Sequence, residues 1–268
     1  MGVYRKSDGV RQVMRLAALL FVAAPGPEGA PAQPVVGARA GVVSFAIGKV
    51  YLDDQAIDIS PTHFPEVKKK SVLRTEGGRA EVLLNPCAVL RVEEDSSIRM
   101  LDSDLLRPEV ELLAGSAVVD LPAIRKGSEI RLQLSGAEVE MARRGTYRFD
   151  YSPPLLKVFE GRASVERSSE KTEVAGGRTL VFDSSAPEKF DVRDGDGLDL
   201  WNHQRAIVLA RARGGRQLSM VDLATAAGWG QADVGMRGPR GIDPSILQNA
   251  PLAPGTLRHP PPDMGCKL

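Results

Sequence analysis

The sequence predicts an all-β protein, a compact β-roll or short β-helix, followed by a short helical segment and a disordered tail. Three observations point there. Between Gly41 and Phe182 short apolar runs alternate with polar residues, most runs close on Gly or Pro, and a Gly-x-Ala-x-Val unit returns three times. Period-two patterning places one set of side chains on a core and the other on the opposite face, which is the habit of strands joined by tight turns.

In chain order, residues 1–32 carry the three parts of a secretory signal. Arg5, Lys6, Arg11 and Arg15 form a cationic start, Leu16 to Ala24 an apolar core, and Ala30-Pro31-Ala32 a small-x-small site that predicts cleavage after Ala32. The apolar run is too short to anchor the chain, because a membrane helix needs about 20 predominantly apolar residues. A periplasmic or secreted location without a stable membrane span is therefore expected. The formal charge of +1 falls to −1 once these residues are removed. A chain so nearly neutral offers no basic field to gather phosphates, which argues against a nucleic-acid partner.

Residues 33–40 read as a Pro/Gly/Ala linker, and the β domain is expected over 41–185. Gly48 interrupts the run from Gly41 to Leu52 and suggests a turn or bulge between two short strands. Lys68-Lys69-Lys70 reads as a solvated turn. Strands with a Glu76-Gly77-Gly78 turn follow, and strict alternation marks Leu90/Val92, Val110/Leu112, Ile130/Leu132/Leu134 and Val139/Met141. Each of these strands is expected to cover a core on one side only, in antiparallel or solenoid-like packing.

The repeated unit comprises Gly78 to Val82, Gly115 to Val119 and Gly161 to Val165, with Gly136-Ala137-Glu138-Val139 as a shortened echo. In each copy the glycine can supply a positive φ, while Ala and Val, two apart, face the same side. Spacings of 37, 21 and 25 residues are too irregular for a solenoid array. Tyr147 and Phe149 share a strand side, where packing against a neighbouring layer competes with a recognition surface.

The run Leu73 to Val82, then Leu90-Arg91-Val92 with Ser97, Leu113 to Val119, Arg144 to Phe149 and Val158 to Val165 resembles, in order, the FecR-type periplasmic domain. The resemblance covers about Gly41 to Phe182. It implies an all-β, partly helically wound domain of the kind found in regulators that relay an outer-membrane signal to an extracytoplasmic sigma factor. The sigma-binding segment and membrane span of such regulators have no counterpart here, so only the extracytoplasmic module carries over.

A helical segment is expected over 198–229. Its first helix, about Leu198 to Arg213, should bury a stripe of Trp201, Val208 and Ala212 and place Arg205, Arg211 and Arg213 toward the negative end of its dipole. Ser219 to Ala227 reads as a second short helix, and 230–268 as a disordered Pro/Gly-rich tail. Before the first helix, Asp194-Gly195-Asp196-Gly197 tempts a calcium reading. The loop pattern fails, since Leu198 and Arg205 stand where ligands belong, and an acidic turn leading into the helix is preferred.

No residue reads as catalytic, cofactor-binding or metal-ligating, no cofactor is implied, and binding residues are not identifiable. His63, His203 and His259 fall in unrelated contexts; Glu93-Glu94 and Glu138/Glu140 read as charged surface rather than an acid pair. Cys87 reads as a small packed hydrophobe and Cys266 as loose in the tail, with a disulfide between them the alternative. The expected function is a non-enzymatic exported module that binds an envelope protein or polymer. A soluble regulator in extracytoplasmic sigma-factor signalling is the alternative, and an envelope hydrolase the remotest reading.

Overall fold

Where alternating runs meet a glycine, the chain turns a corner rather than ending its strand. In the computed structural model, which describes residues 39–59 and 63–213, the strands in chain order are β1 (Val42–Leu52), β2 (Gln55–Ala56), β3 (Val72–Asn85), β4 (Ala88–Val92), β5 (Ser97–Asp102), β6 (Glu109–Ala114), β7 (Ser116–Leu121) and β8 (Ile130–Leu134). They continue as β9 (Ala137–Met141), β10 (Gly145–Tyr151), β11 (Pro154–Glu160), β12 (Arg162–Arg167), β13 (Glu170–Ala175), β14 (Arg178–Val181) and β15 (Glu188–Lys189), with one helix, α1 (Gly197–Arg213). The predicted signal (1–32), the second helix at 219–227, the tail from 230 with His259 and Cys266, and most of the linker lie outside the described residues.

All strands belong to one sheet, ordered β13-β12-β9-β8-β6-β5-β3-β4-β7-β10-β11-β14-β15, with β1 along β3 and β2 on β1. The connectivity shows how it is folded. β5 and β4, β6 and β7, β9 and β10, β12 and β11, and β13 and β14 are each neighbours in sequence, yet stand on opposite sides of β3 in the sheet. The sheet therefore doubles back, and its two halves enclose a shared core that takes side chains from both, among them Ile98, Leu112, Leu132, Val139 and Val165 from one and Leu90, Val119, Tyr147, Phe149 and Leu180 from the other. This is the compact roll of the two predicted forms. Pairing is antiparallel except between β6 and β8, where the chain returns from β7 without a hairpin.

The crossings form two seams at opposite ends of the strands, with Gly78, the β4–β5 turn and Gly115 at one and Gly145 and Gly161 at the other, since Gly145 pairs with Leu121 at the end of β7 away from Gly115. Each Gly-x-Ala-x-Val copy starts on one of them. Its glycine (Gly78, Gly115, Gly161) makes the corner, and the following Ala80, Ala117 and Ala163 are fully buried where the halves converge. Only small residues fit there. A Cβ on Gly48 of β1 would lie 2.5 Å from the Gly77 carbonyl oxygen and 2.7 Å from the Gly78 Cα. At Gly161, φ is +104° and a Cβ would meet the Tyr147 hydroxyl and lie 2.7 Å from the Arg144 oxygen. Gly136, the shortened echo, sits instead in the β8–β9 hairpin turn with open space around it.

Hydroxyls tie the corners of each seam together. Ser96 Oγ accepts from the Ser116 N–H at 2.9 Å, and Thr75 Oγ1 accepts from the Ser96 N–H at 3.0 Å. Tyr147 donates to the Arg143 carbonyl and accepts from the Arg162 N–H at 3.1 Å. Burial pushes the Tyr147 hydroxyl up to about 12, so it stays a donor at any ordinary pH. With Tyr147 and Phe149 both fully buried, packing is their role.

Two expectations are corrected. The second face of β3, β4, β7 and β10 is not in water, because α1 lies on it. The buried stripe of α1 is Leu198, Trp201, Asn202, Arg205, Ala206 and Leu209, at i, i+3, i+4, i+7, i+8 and i+11, with Val208 only half-buried. Arg205 is 5% exposed beneath the helix instead of serving its C-terminal dipole. Asp196 caps α1 by accepting from the Leu198 and Asp199 N–H groups at 2.9 and 3.2 Å, while Asp199 accepts from the Asp196 N–H at 3.1 Å, a reciprocal cap. No helix among the described residues is long and apolar enough to cross a membrane.

Gly161→Ala combines a disallowed φ with overpacking at the corner. It should lower unfolding free energy by about 2–5 kcal/mol in urea titrations, whereas Gly136→Ala, with open space around it, should cost only the strain of its positive φ, about 1–2 kcal/mol.

Candidate functional site

Two places hold chemistry that the strand pattern alone does not explain: the layer between α1 and the sheet, and the open end of the roll. The first is set by register. Phe45 pairs with Glu81, Glu81 with Arg91, Arg91 with Val118, Val118 with Arg148 and Arg148 with Lys157, so one row of side chains crosses five strand pairings on the outer face. α1 covers much of this row. Phe45 and Val118 pack with Leu198 and Trp201, and Leu83 and Val89 with Leu209.

Glu81 is wholly buried and accepts from Arg91 Nε at 3.0 Å, Arg205 at 3.1 Å and Ser44 Oγ at 3.0 Å. Arg91, equally buried, also donates to Asn202 of α1 and to Asp120 at 3.3 Å. Burial alone would raise the Glu81 pKa, but the Arg205 and Arg91 guanidiniums outweigh it and hold the carboxyl down at about 2. At the other end of the helix-covered row, Arg148 binds Asp196, Asp199 and Asp150 at 2.6, 2.9 and 3.1 Å. Burial pushes Asp199 up to about 6 despite Arg148, with the neighbouring Asp196 adding to the rise; Asp196, more exposed, is held below its usual range by Arg148. These carboxylates are committed to a guanidinium and to the helix cap. No group of three His, Cys, Asp or Glu side chains suited to a metal gathers among the described residues.

The second place is a cleft of about 270 Å³ between the β12–β13 hairpin and the end of β14. Val165, Leu180 and Phe182 belong to its buried floor, and Arg167, Glu170, Thr172 and Ser185 to its polar rim. It exists because the last two long strands diverge. Among the described residues β13 pairs only with β12, and no strand lies on its other edge, while β14 pairs with β11 and β15.

Residues singled out from sequence are scattered. His63 is exposed and His203 half-buried on α1. Glu93 pairs with Arg79 at 2.6 Å, Glu138 and Glu140 stand half-buried on an outer strand face, and Lys69 pairs with Asp102 at 2.9 Å. Cys87 is buried, 2% exposed. The cleft-lining residues carry no distinguishing signal in the sequence, where Thr172, Ser184 and Ser185 look like ordinary loop and strand polarity.

No family model matches the chain, and no curated protein matches it. Two crystal structures of a proposed anti-sigma factor from Parabacteroides distasonis are similar to part of it. One has 12% identity, covers 48% of this chain and 63% of its own, and gives a TM-score of 0.39. The other has 13% identity, covers 48% and 62%, and also gives 0.39. The chain thus spans less than two thirds of their length.

Glu81→Gln removes the anion between two buried guanidiniums and should cost about 3–5 kcal/mol of stability in denaturant titrations. The two carboxylates respond oppositely to acid. The Glu81 pKa is lowered on folding, so its contribution is complete above about pH 4.5 and fades as pH falls toward 2. The Asp199 pKa is raised, so the folded chain takes up a proton near pH 6 that the unfolded chain does not take until about pH 4. Stability should therefore rise by on the order of 1–3 kcal/mol between pH 7 and pH 4.5 in the wild type, and Asp199→Asn should flatten that rise.

Proposed function

We propose that the chain is a non-enzymatic FecR-type module, exported to the periplasm or beyond, that binds an envelope protein or polymer at the open end of its roll. One observation carries the reading: the cleft between β13 and β14 joins an apolar floor to a polar rim, the composition that small recognition sites use to gain affinity from the floor and orientation from the rim. The FecR assignment is supported by the ordered motifs, whose repeated glycines coincide with the corners that fold the sheet. Export is supported by the signal-like residues 1–32. A non-catalytic role is supported by the use to which the buried ionisable groups are put: Glu81, Arg91, Arg148 and Arg205 hold a helix in place.

Ser185 is exposed on the cleft rim, so Ser185→Trp should fill the mouth without disturbing the core. Tagged full-length chain should retain a specific protein or polymer from an envelope extract, and Ser185→Trp should lose it while the exposed Lys70→Trp, in the lysine turn, keeps it. Equal retention by all three would remove the cleft from the reading. Recovery of a sigma regulator would turn it toward signalling.

A further inference from the structure

The free edge of β13 has a charge order that reads the same from a second copy of the chain. Its six residues, Glu170-Lys171-Thr172-Glu173-Val174-Ala175, pair with β12 on one side and, among the described residues, with no strand on the other. Val174 is buried with the core, so Glu170, Thr172 and Val174 belong to the inner face, while Lys171, Glu173 and Ala175 point outward. Lys171 and Glu173 have no ion-pair partner among the described residues, and both are exposed.

We propose that β13 pairs with β13 of a second copy, antiparallel and centred on Thr172, so that Lys171 of each copy faces Glu173 of the other. Charge complementarity selects this register. A two-fold axis that keeps inner face beside inner face must pass through a residue. Centring it on Lys171 sets lysine against lysine, and centring it on Glu173 sets glutamate against glutamate, both unfavourable when directly opposed. Centring on Thr172 instead creates two cross-strand ion pairs, faces the two Thr172 side chains at the axis, and provides roughly four to six main-chain hydrogen bonds to groups the single copy leaves unpaired. The two sheets then run on as one through their β13-bearing halves. The paired edge borders the cleft, whose rim includes Glu170 and Thr172, but the pairing rests on the charge order of the edge and not on what the cleft binds. A single six-residue edge falls short of the ~1,000 Å² of a stable interface, so the dimer forms weakly and with rising concentration.

Charged edge strands also serve to prevent such pairing, and the experiment separates the two roles. Sedimentation equilibrium of the full-length chain should show self-association. Lys171→Glu and Glu173→Lys should each weaken it by about tenfold or more, since two attractive pairs become repulsive. K171E mixed with E173K should associate again, because the first copy offers two glutamates to the two lysines of the second, and the double variant K171E/E173K should dimerise like the wild type. Circular dichroism of each variant establishes that the exposed changes leave the fold intact. A wild-type chain that stays monomeric up to about 1 mM, or a dimer indifferent to K171E, or single variants that fail to associate when mixed, would overturn the proposal.

Discussion

Everything in this fold depends on strands that cross from one half of the sheet to the other at a separation no side chain can tolerate. Gly48 against Gly77 and Gly78 and Gly115 against Ser96 mark one seam, and Gly145 against Glu160 marks a second at the other end of β7 and β10. Each brings neighbouring corners so close that a methyl group would have to displace backbone or a short side chain. The closeness is what lets a single sheet enclose its own core: the corners set the halves facing each other, and alternation along each strand then fills the space between them. The small Ala80, Ala117 and Ala163 stand two residues from the corners, and larger Val, Leu and Phe residues fill the rest of the core.

The helix answers a different need. Folding the sheet over leaves an outer face on which Phe45, Leu83, Val89 and Val118 are apolar, but Glu81, Arg91 and Arg148 are charged. Sheet residues pair these groups in part, Glu81 with Arg91, Arg91 with Asp120 and Arg148 with Asp150, and a purely apolar helix would bury their remaining hydrogen-bonding capacity unsatisfied. α1 brings Arg205 to Glu81, Asn202 to Arg91 and Asp199 to Arg148, with Trp201 and Leu198 filling the space between. Such pairs add little net stability over apolar packing, yet they admit few alternative registers: sliding α1 by one turn would take Arg205 from Glu81 and Asn202 from Arg91. The helix position is thus fixed by charge, and its affinity for the sheet by the aromatic and aliphatic contacts.

Much of this could be read from the sequence, and the limits have physical reasons. Alternation identified the strands, and the Gly-x-Ala-x-Val units identified where the chain changes direction. A glycine that makes a hairpin and one that makes a corner look alike along the chain, so Gly136 and Gly161 carry the same motif although only Gly161 joins the two halves. Alternation also tells that a strand has two faces without telling what covers the second, so Arg91 read as a water-facing residue although it is buried. On α1 the sequence alone points to a stripe through Val208, because Asn202 and Arg205 count against burial unless Glu81 and Arg91 lie beneath them. The cleft had no sequence signal at all, since it arises from pairing rather than from residue type.

That pairing explains why the roll stays open at one end. Only Gly176 and Gly177 separate β13 from β14, the spacing of a tight hairpin, and a hairpin there would have closed the sheet into a continuous ring. The groups needed for it are engaged elsewhere. Arg178 pairs with Val158 on one side and Lys189 on the other, the Gly177 N–H donates to the Val158 carbonyl at 2.8 Å, and its carbonyl accepts from the Phe190 N–H at 3.2 Å. With both edges of β14 occupied at its first residues, β13 must part from it. The short strand β15 is therefore what keeps the ring from closing, and the cleft with its apolar floor and the unpaired edge of β13 are two consequences of the same competition.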